Sequence, residues 1–164
     1  MRNIILEGFD GSGKSTLARL LAERYRMFYQ PSEGKEKYPF ECSARSLLYF
    51  ERTWNVFDRH PIISNDIYIP VSGARPIRQD VMEKWTGHLR QHHLIIYCAG
   101  GSFEEQVLGE FDTPDYQVAL KQKEDVIQRA YREWAPREAD VIYRKTNDHR
   151  KLFSLIGGFL CSDH

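Results

Sequence analysis

The run Gly8-Phe9-Asp10-Gly11-Ser12-Gly13-Lys14-Ser15 constrains this chain more than any other stretch of it. It follows the apolar segment Ile4-Ile5-Leu6 and leads into Ser15 to Tyr25, where Leu17, Leu20, Leu21 and Tyr25 recur near helical spacing. A Gly-x-x-x-x-Gly-Lys-Ser run between a strand and a helix is a phosphate-binding loop. Its glycines allow successive N–H groups to form a concave nest, and the positive end of the helix adds to that field. Lys14 is expected to reach the β- and γ-phosphates of a nucleoside triphosphate, and Ser15 to ligate Mg²⁺. Gly8, Asp10, Gly11, Ser12, Gly13, Lys14, Ser15 and Thr16 form the expected donor site, with ATP and Mg²⁺ as its occupants.

The rest of the chain continues this alternation. Met27 to Tyr29 reads as a second strand, and Gln30 to Phe40 as an exposed loop. Cys42 or Ser43 can cap a helix to about Arg52, and Trp54 to Phe57 reads as a buried strand ending at Asp58. Pro61 is expected to stop regular structure, and Pro70, Gly73 and Pro76 make Ile62 to Arg78 a broken, site-lining segment. Gln79 to Gln91 is helical in pattern, while Leu94 to Cys98, ended by Gly100-Gly101, is the clearest interior strand. A short helix from Phe103 to Leu108 and turns over Phe111 to Tyr116 follow. Then come a long charged helix over Gln117 to Trp134 ended by Pro136, a strand at Val141 to Tyr143 and a helix from Arg150 to Leu160. This order predicts an α/β fold in one domain over residues 1–164, with a parallel sheet covered by helices on both faces. Ligands are expected at the carboxyl ends of its strands.

Composition narrows the partners. The 23 Lys+Arg balance 23 Asp+Glu, so no whole-molecule basic field draws the chain to nucleic acid. Cys42, Cys98 and Cys161 are widely spaced and form no CxxC pair, which argues against a disulfide framework or zinc site and for a reducing, cytoplasmic setting. No basic leader and no apolar run of bilayer length is present, so a soluble protein without a membrane partner is expected.

Two stretches together resemble thymidylate kinases. Glu7-Gly8-Phe9-Asp10 is similar to that family's Glu-Gly-hydrophobic-Asp entry to the loop. Asn55-Val56-Phe57-Asp58-Arg59-His60, followed by Ser64 and Tyr68, is similar to its strand ending in Asp-Arg-Tyr/His with a downstream Ser-x-x-x-Tyr. The resemblance implies a small divergent member with a three-layer P-loop kinase fold. It also implies transfer of the γ-phosphate of ATP to a (deoxy)nucleoside 5′-monophosphate. Asp10 would then lie near the acceptor's sugar hydroxyl, with Ser64 and Tyr68 also at the acceptor. Asp58 can hold the magnesium's water shell, and Arg59 can grip a phosphate through two parallel hydrogen bonds. Lys14, Asp10, Asp58 and Arg59 are the expected catalytic set, and His60 is read as packing or orientation.

Arg45-Ser46-Leu47-Leu48-Tyr49-Phe50-Glu51-Arg52 is similar to the family's acceptor helix. Tyr49 or Phe50 would flank a flat base while Arg45 or Arg52 meets its phosphate. Three departures stand beside these matches. Only five residues separate Arg52 from Asp58, Pro31-Ser32-Glu33 lacks the arginine of the family's Arg-Glu-Pro loop, and Tyr68 precedes Ile69-Pro70 rather than a polar residue. The acceptor base is therefore left open. A lid is expected over Gly109 to Lys123, with Lys121, Lys123 and Arg129 as available cations. The family's relatives commonly dimerise through helices, but no interface is identified in this sequence, so the oligomeric state is left open with a homodimer among the alternatives. Two other readings compete: a deoxynucleoside kinase using Glu7, Asp10 or Glu33 as base towards a hydroxyl, and a nucleotide-dependent regulatory protein with the lid as its moving part.

Overall fold

The computed structural model describes residues 3–31, 54–72, 78–105, 113–145 and 149–161. Five strands form one parallel sheet: β1 (Asn3–Glu7), β2 (Phe28–Gln30), β3 (Asn55–Asp58), β4 (His93–Ala99) and β5 (Val141–Arg144), in the order β2-β3-β1-β4-β5. Between and after them, among the described residues, run α1 (Lys14–Tyr25), α2 (Pro61–Ser72), α3 (Gln79–His92), α4 (Pro114–Glu138) and α5 (His149–Cys161), with a 3₁₀ turn at Phe103–Glu105.

Side chains alternate across a strand, so neighbouring residues of β1 serve opposite layers. Ile4 and Leu6 join Val56, Leu94 and Ile96 against Leu17 and Leu21 of α1 and Leu152 and Ile156 of α5. Ile5 joins Phe57 and Ile95 against Ile62 and Ile67 of α2, Leu89 of α3 and Ile127 of α4. Both faces of the sheet are thus covered, which explains why its central strands read as nearly unbroken apolar runs. This is the three-layer α/β architecture of P-loop kinases. The candidate site residues gather at the carboxyl end of β1 and β3, whose register pairs Leu6 with Asp58.

Proline accounts for two departures from expectation. Pro61 begins α2 instead of stopping regular structure: its fixed φ suits a first helical position, and the N–H of Ser64 reaches the His60 carbonyl at 2.9 Å. Residues 61–72 are therefore helical where a broken segment was expected, with Pro70 inside the last turn. Pro136 likewise lies within α4, which continues to Glu138 and closes with the Ala139 N–H on the Ala135 carbonyl at 3.0 Å. The start of α4 also precedes the expected one, because Thr113 caps it by accepting from the Tyr116 N–H and Pro114 occupies its first turn. Trp54 lies just outside β3. The helix expected from Phe103 is described only as the 3₁₀ turn, since 106–112 lie outside the described residues. The helix expected from Cys42 or Ser43 to Arg52 also falls outside them.

Candidate active site

The loop after β1 turns sharply and packs tightly. Gly8 has φ 147°, and a Cβ there would run into the Cys98 carbonyl oxygen of β4. From the other side Gly101 presses on the loop at φ 86°, where a Cβ would sit 2.5 Å from both the Asp10 carbonyl oxygen and the Ser12 nitrogen. Lys14 opens α1 and folds back over the loop, its Nζ donating to the Phe9 carbonyl at 2.8 Å and to Ser12 Oγ at 3.3 Å. Burial and the nearby Arg59 guanidinium push the Lys14 ammonium down to about 8, opposed by Asp10 and Asp58. An ammonium held this way gains most from an arriving anion. Ser15 and Thr16 are exposed in the first turn of α1, and Gly11 and Gly13 both take positive φ in the loop.

Asp58 and Arg59 end β3 beside this loop. Asp58 is buried, and Tyr29 Oη of β2 donates to its Oδ2 at 3.3 Å. Arg59 adopts φ 72°, an uncommon left-handed conformation for a side chain of this size, and its N–H is anchored on the Leu6 carbonyl at 2.9 Å. That bend sends the guanidinium back across β1. Its Nη2 lies 2.8 Å from Asp10 Oδ1, 2.7 Å from Tyr68 Oη and 3.5 Å from the Gly8 carbonyl, with Cζ 4.5 Å from the Tyr68 ring centroid. Tyr68 in turn donates to Asp10 Oδ2 at 2.8 Å. Burial alone would raise the Asp10 carboxyl, but Arg59 and Lys14 outweigh it and hold the group below its ordinary range. Asp10, Arg59 and Tyr68 are thus one cluster, held by an Asp10–Arg59 ion pair that was not foreseen.

Glu7 carries more of the site than the sequence suggested. Its side chain is fully buried and accepts from the His60 N–H at 2.7 Å, from Ser64 Oγ at 3.0 and 3.2 Å, and from Tyr131 Oη at 2.9 Å. Ser64 therefore spends its hydroxyl on Glu7. Burial raises the Glu7 carboxyl, opposed by the His60 N–H, Arg59, Tyr131 and Ser64. Tyr131 escaped the sequence reading because it sits on the apolar stripe of α4 with Ile127, where an aromatic reads as core. A signal was present: a glutamate in an interior strand needs buried donors. His60 is buried against Phe57 and His93 as a packing residue, and neither ring nitrogen has a hydrogen-bond partner among the described residues.

Arg45, Tyr49 and Arg52, and with them Glu33, Phe50 and Cys42, lie outside the described residues. So do residues 109–112 of the expected lid, while 113–123 cap and begin α4. Lys121 pairs with Glu104 at 3.3 Å, and Lys123 and Arg129 are exposed. On the other side of the loop Lys145, just after β5, meets Glu105 at 3.2 Å.

Ser15 and Asp58 supply hard oxygen ligands, and the described residues hold no cluster of three or more metal-binding side chains. That set fits Mg²⁺, which keeps much of its water and is completed by substrate phosphates, and does not fit an all-protein metal cage. No helix among the described residues is long and apolar enough to cross a membrane.

Solved structures place the chain within a fold class. It is similar to the YorR protein of Bacillus subtilis in complex with phosphorylated GDP, at a TM-score of 0.71 and 15% identity, covering 99% of each chain. It is also similar to deoxyadenosine kinase from M. mycoides with the products dCMP and dCDP bound, at 0.56 and 15%, covering 98% of this chain and 99% of that one. Polyphosphate kinase 2 from Arthrobacter aurescens matches at 0.59 and 14%, over 96% of this chain and 68% of the other. At these identities the likeness establishes the P-loop kinase fold. No protein-family model matches the sequence, and no curated protein does.

Proposed function

We propose that this chain is an ATP- and Mg²⁺-dependent phosphotransferase of thymidylate-kinase type, acting on a (deoxy)nucleoside 5′-monophosphate. The observation that carries this reading is a pair of cations at the ends of adjacent parallel strands, Lys14 buried and Arg59 with its side chain 13% exposed. Lys14 stands on the loop after β1 and Arg59 after β3, near enough that Arg59 depresses the Lys14 ammonium. Two adjacent cations suit two phosphates, one to give and one to receive. An acceptor phosphate oxygen attacks the γ-phosphorus, the bond to the bridging β-γ oxygen breaks, and ADP leaves beside a nucleoside diphosphate. Lys14 meets the charge that develops on the bridging oxygen, and Asp10 and Tyr68 hold Arg59 towards the acceptor. A bound Mg²⁺, held through Ser15 and the waters of Asp58, would supply further neutralisation of the phosphates. The phosphate is itself the nucleophile, so no strong base is required.

The carboxylates support this reading over a nucleoside kinase. Both oxygens of Asp10 are bonded to Arg59 and Tyr68, and Glu7 is buried under three donor groups, so neither faces an incoming hydroxyl as a base. The similar deoxyadenosine kinase, with the product dCMP bound, is itself a nucleoside kinase, so the similar structures support nucleotide phosphotransfer without favouring either acceptor. Incubation with ATP, Mg²⁺ and each common monophosphate or nucleoside, followed by separation of products, tests the proposal. Diphosphate formation is expected from at least one monophosphate. Turnover of nucleosides at equal or higher efficiency would replace the reading with a nucleoside kinase, and ATP hydrolysis without transfer would replace it with a regulatory protein.

A further inference from the structure

We propose that Tyr131, in the middle of α4, is a positioning residue for the acceptor, acting through Glu7 on the Arg59 bend and through its ring on Tyr68. The inference rests on the acceptor reading given above. Its first arm is a hydrogen-bond relay. Tyr131 Oη donates to Glu7 Oε2 at 2.9 Å, and Glu7 Oε1 accepts from the His60 N–H at 2.7 Å. That N–H belongs to the peptide immediately after Arg59, whose φ of 72° is disfavoured for a residue with a side chain. The bend is pinned on both sides by consecutive residues of β1, by Leu6 before it and Glu7 after it. Without the second pin, Arg59 is free to relax towards ordinary backbone angles and swing its guanidinium away from Asp10.

The second arm is packing. The Tyr131 ring stacks on Tyr97 with centroids 5.8 Å apart and meets Tyr68 edge-on at 6.2 Å. Tyr68 is thereby braced where its hydroxyl reaches both Asp10 and Arg59. One residue supports two members of the cluster from opposite ends. The same helix reaches the donor side as well: Gln128, one turn earlier on the same face, donates to the Gly101 carbonyl at 3.2 Å, and Gly101 abuts the phosphate loop. A displacement of about 1 Å in a positioning group can cost on the order of 10²-fold in rate, so such bracing bears directly on turnover.

An ordinary core tyrosine would look similar in burial, and kinetics separate the two roles. Tyr131→Phe keeps both ring contacts and removes only the hydroxyl on Glu7. It is expected to raise the acceptor KM about tenfold, equivalent to about 1.4 kcal/mol, while the ATP KM stays within about twofold. In a Glu7→Gln background the same change should add less than about twofold, because the relay is already broken. Tyr131→Leu, which also removes the ring, should lower kcat further, and Tyr131→Trp should not restore it. Equal KM changes for donor and acceptor, or a fall in melting temperature with both KM values intact, would overturn the inference and leave Tyr131 a core residue. If nucleosides prove to be the acceptors, the monophosphate reading fails, yet the same comparison run on the nucleoside still decides Tyr131. If nothing is phosphorylated by the wild type, both proposals fall.

Discussion

Asp10→Asn isolates the electrostatics of the acceptor cluster with the smallest change in shape. The Arg59 and Asp10 side chains are 13% and 19% exposed, and Nη2 lies 2.8 Å from Oδ1, so the pair is largely removed from water. The amide offers one oxygen where the carboxylate offers two, so it can accept from Arg59 or from Tyr68 but not from both. The charge-assisted bond is weakened, at about 1.5–3 kcal/mol, and a buried guanidinium loses its counter-charge, for which full removal costs about 3–5 kcal/mol. A net loss of about 3 kcal/mol is expected, or roughly 6–12 °C in Tm for a chain of this size. The loss should shrink in acid. Asp10 titrates below its unfolded value, so its contribution is complete above the unfolded carboxylate range and fades as pH falls through the folded value. Thermal unfolding of wild type, Asp10→Asn and Asp10→Asn/Arg59→Met at pH 7 and at about pH 2.5, below the unfolded carboxylate value, measures all of this. The double variant, with no stranded cation, should recover part of the loss. A single variant within about 0.5 kcal/mol of wild type, or a double variant that is additively worse, would refute the buried-pair argument.

Lys14→Ala should cut phosphoryl transfer by roughly 10²- to 10³-fold or more with circular dichroism unchanged, as initial rates will show. Gly101→Ala places a methyl 2.5 Å from the Asp10 oxygen and the Ser12 nitrogen at φ 86°. It should cost at least about 1–2 kcal/mol of stability in a denaturant titration and weaken ATP binding, since the loop must move. His60, pushed down to about 3 by burial and then by His93 and His88, is favoured neutral in the fold. Its contribution is complete above the unfolded value near 6.5 and is lost as pH falls towards about 3, by up to about 1.4 kcal/mol per unit. His60→Leu should flatten that part of the stability profile.

The sequence revealed most where a feature was local. The turn after β1, the strands and the Asp58-Arg59 strand end depend on residues within a few positions of each other, and each lies within a residue of its expected place, β2 starting at Phe28 rather than Met27 and β3 at Asn55 rather than Trp54. What stayed hidden depends on folding distant segments together. Tyr131 reaches Glu7 across 124 positions and Arg59 reaches Asp10 across 49, and no periodicity encodes either meeting. The prolines failed for a different reason. Pro61 breaks structure on its amino side but starts it on its carboxyl side, so a rule applied in one direction lost α2. Losing α2 also blurred Ser64, which a helix beginning at Pro61 brings to within 3.0 Å of Glu7.

The bond between Arg59 and Asp10 raises an apparent conflict, because a guanidinium already paired has less to give a phosphate. The geometry removes it. The described bonds from the Arg59 side chain, to Asp10, Tyr68 and Gly8, all leave from Nη2. A guanidinium carries five N–H donors in a rigid fork, so Nη1 and Nε can address a ligand while Nη2 stays anchored. Asp10 then fixes the plane of the fork without consuming it. The same logic separates the two cations. Lys14 is a single point charge with three N–H donors, two of them on the Phe9 carbonyl and the Ser12 hydroxyl, so one is left to address a ligand, and its ammonium is already depressed to about 8. On the proposed reading Arg59 would meet a phosphate without giving up its anchor, and the acceptor side would be the one assembled beforehand, with supports that reach as deep as Glu7 and Tyr131.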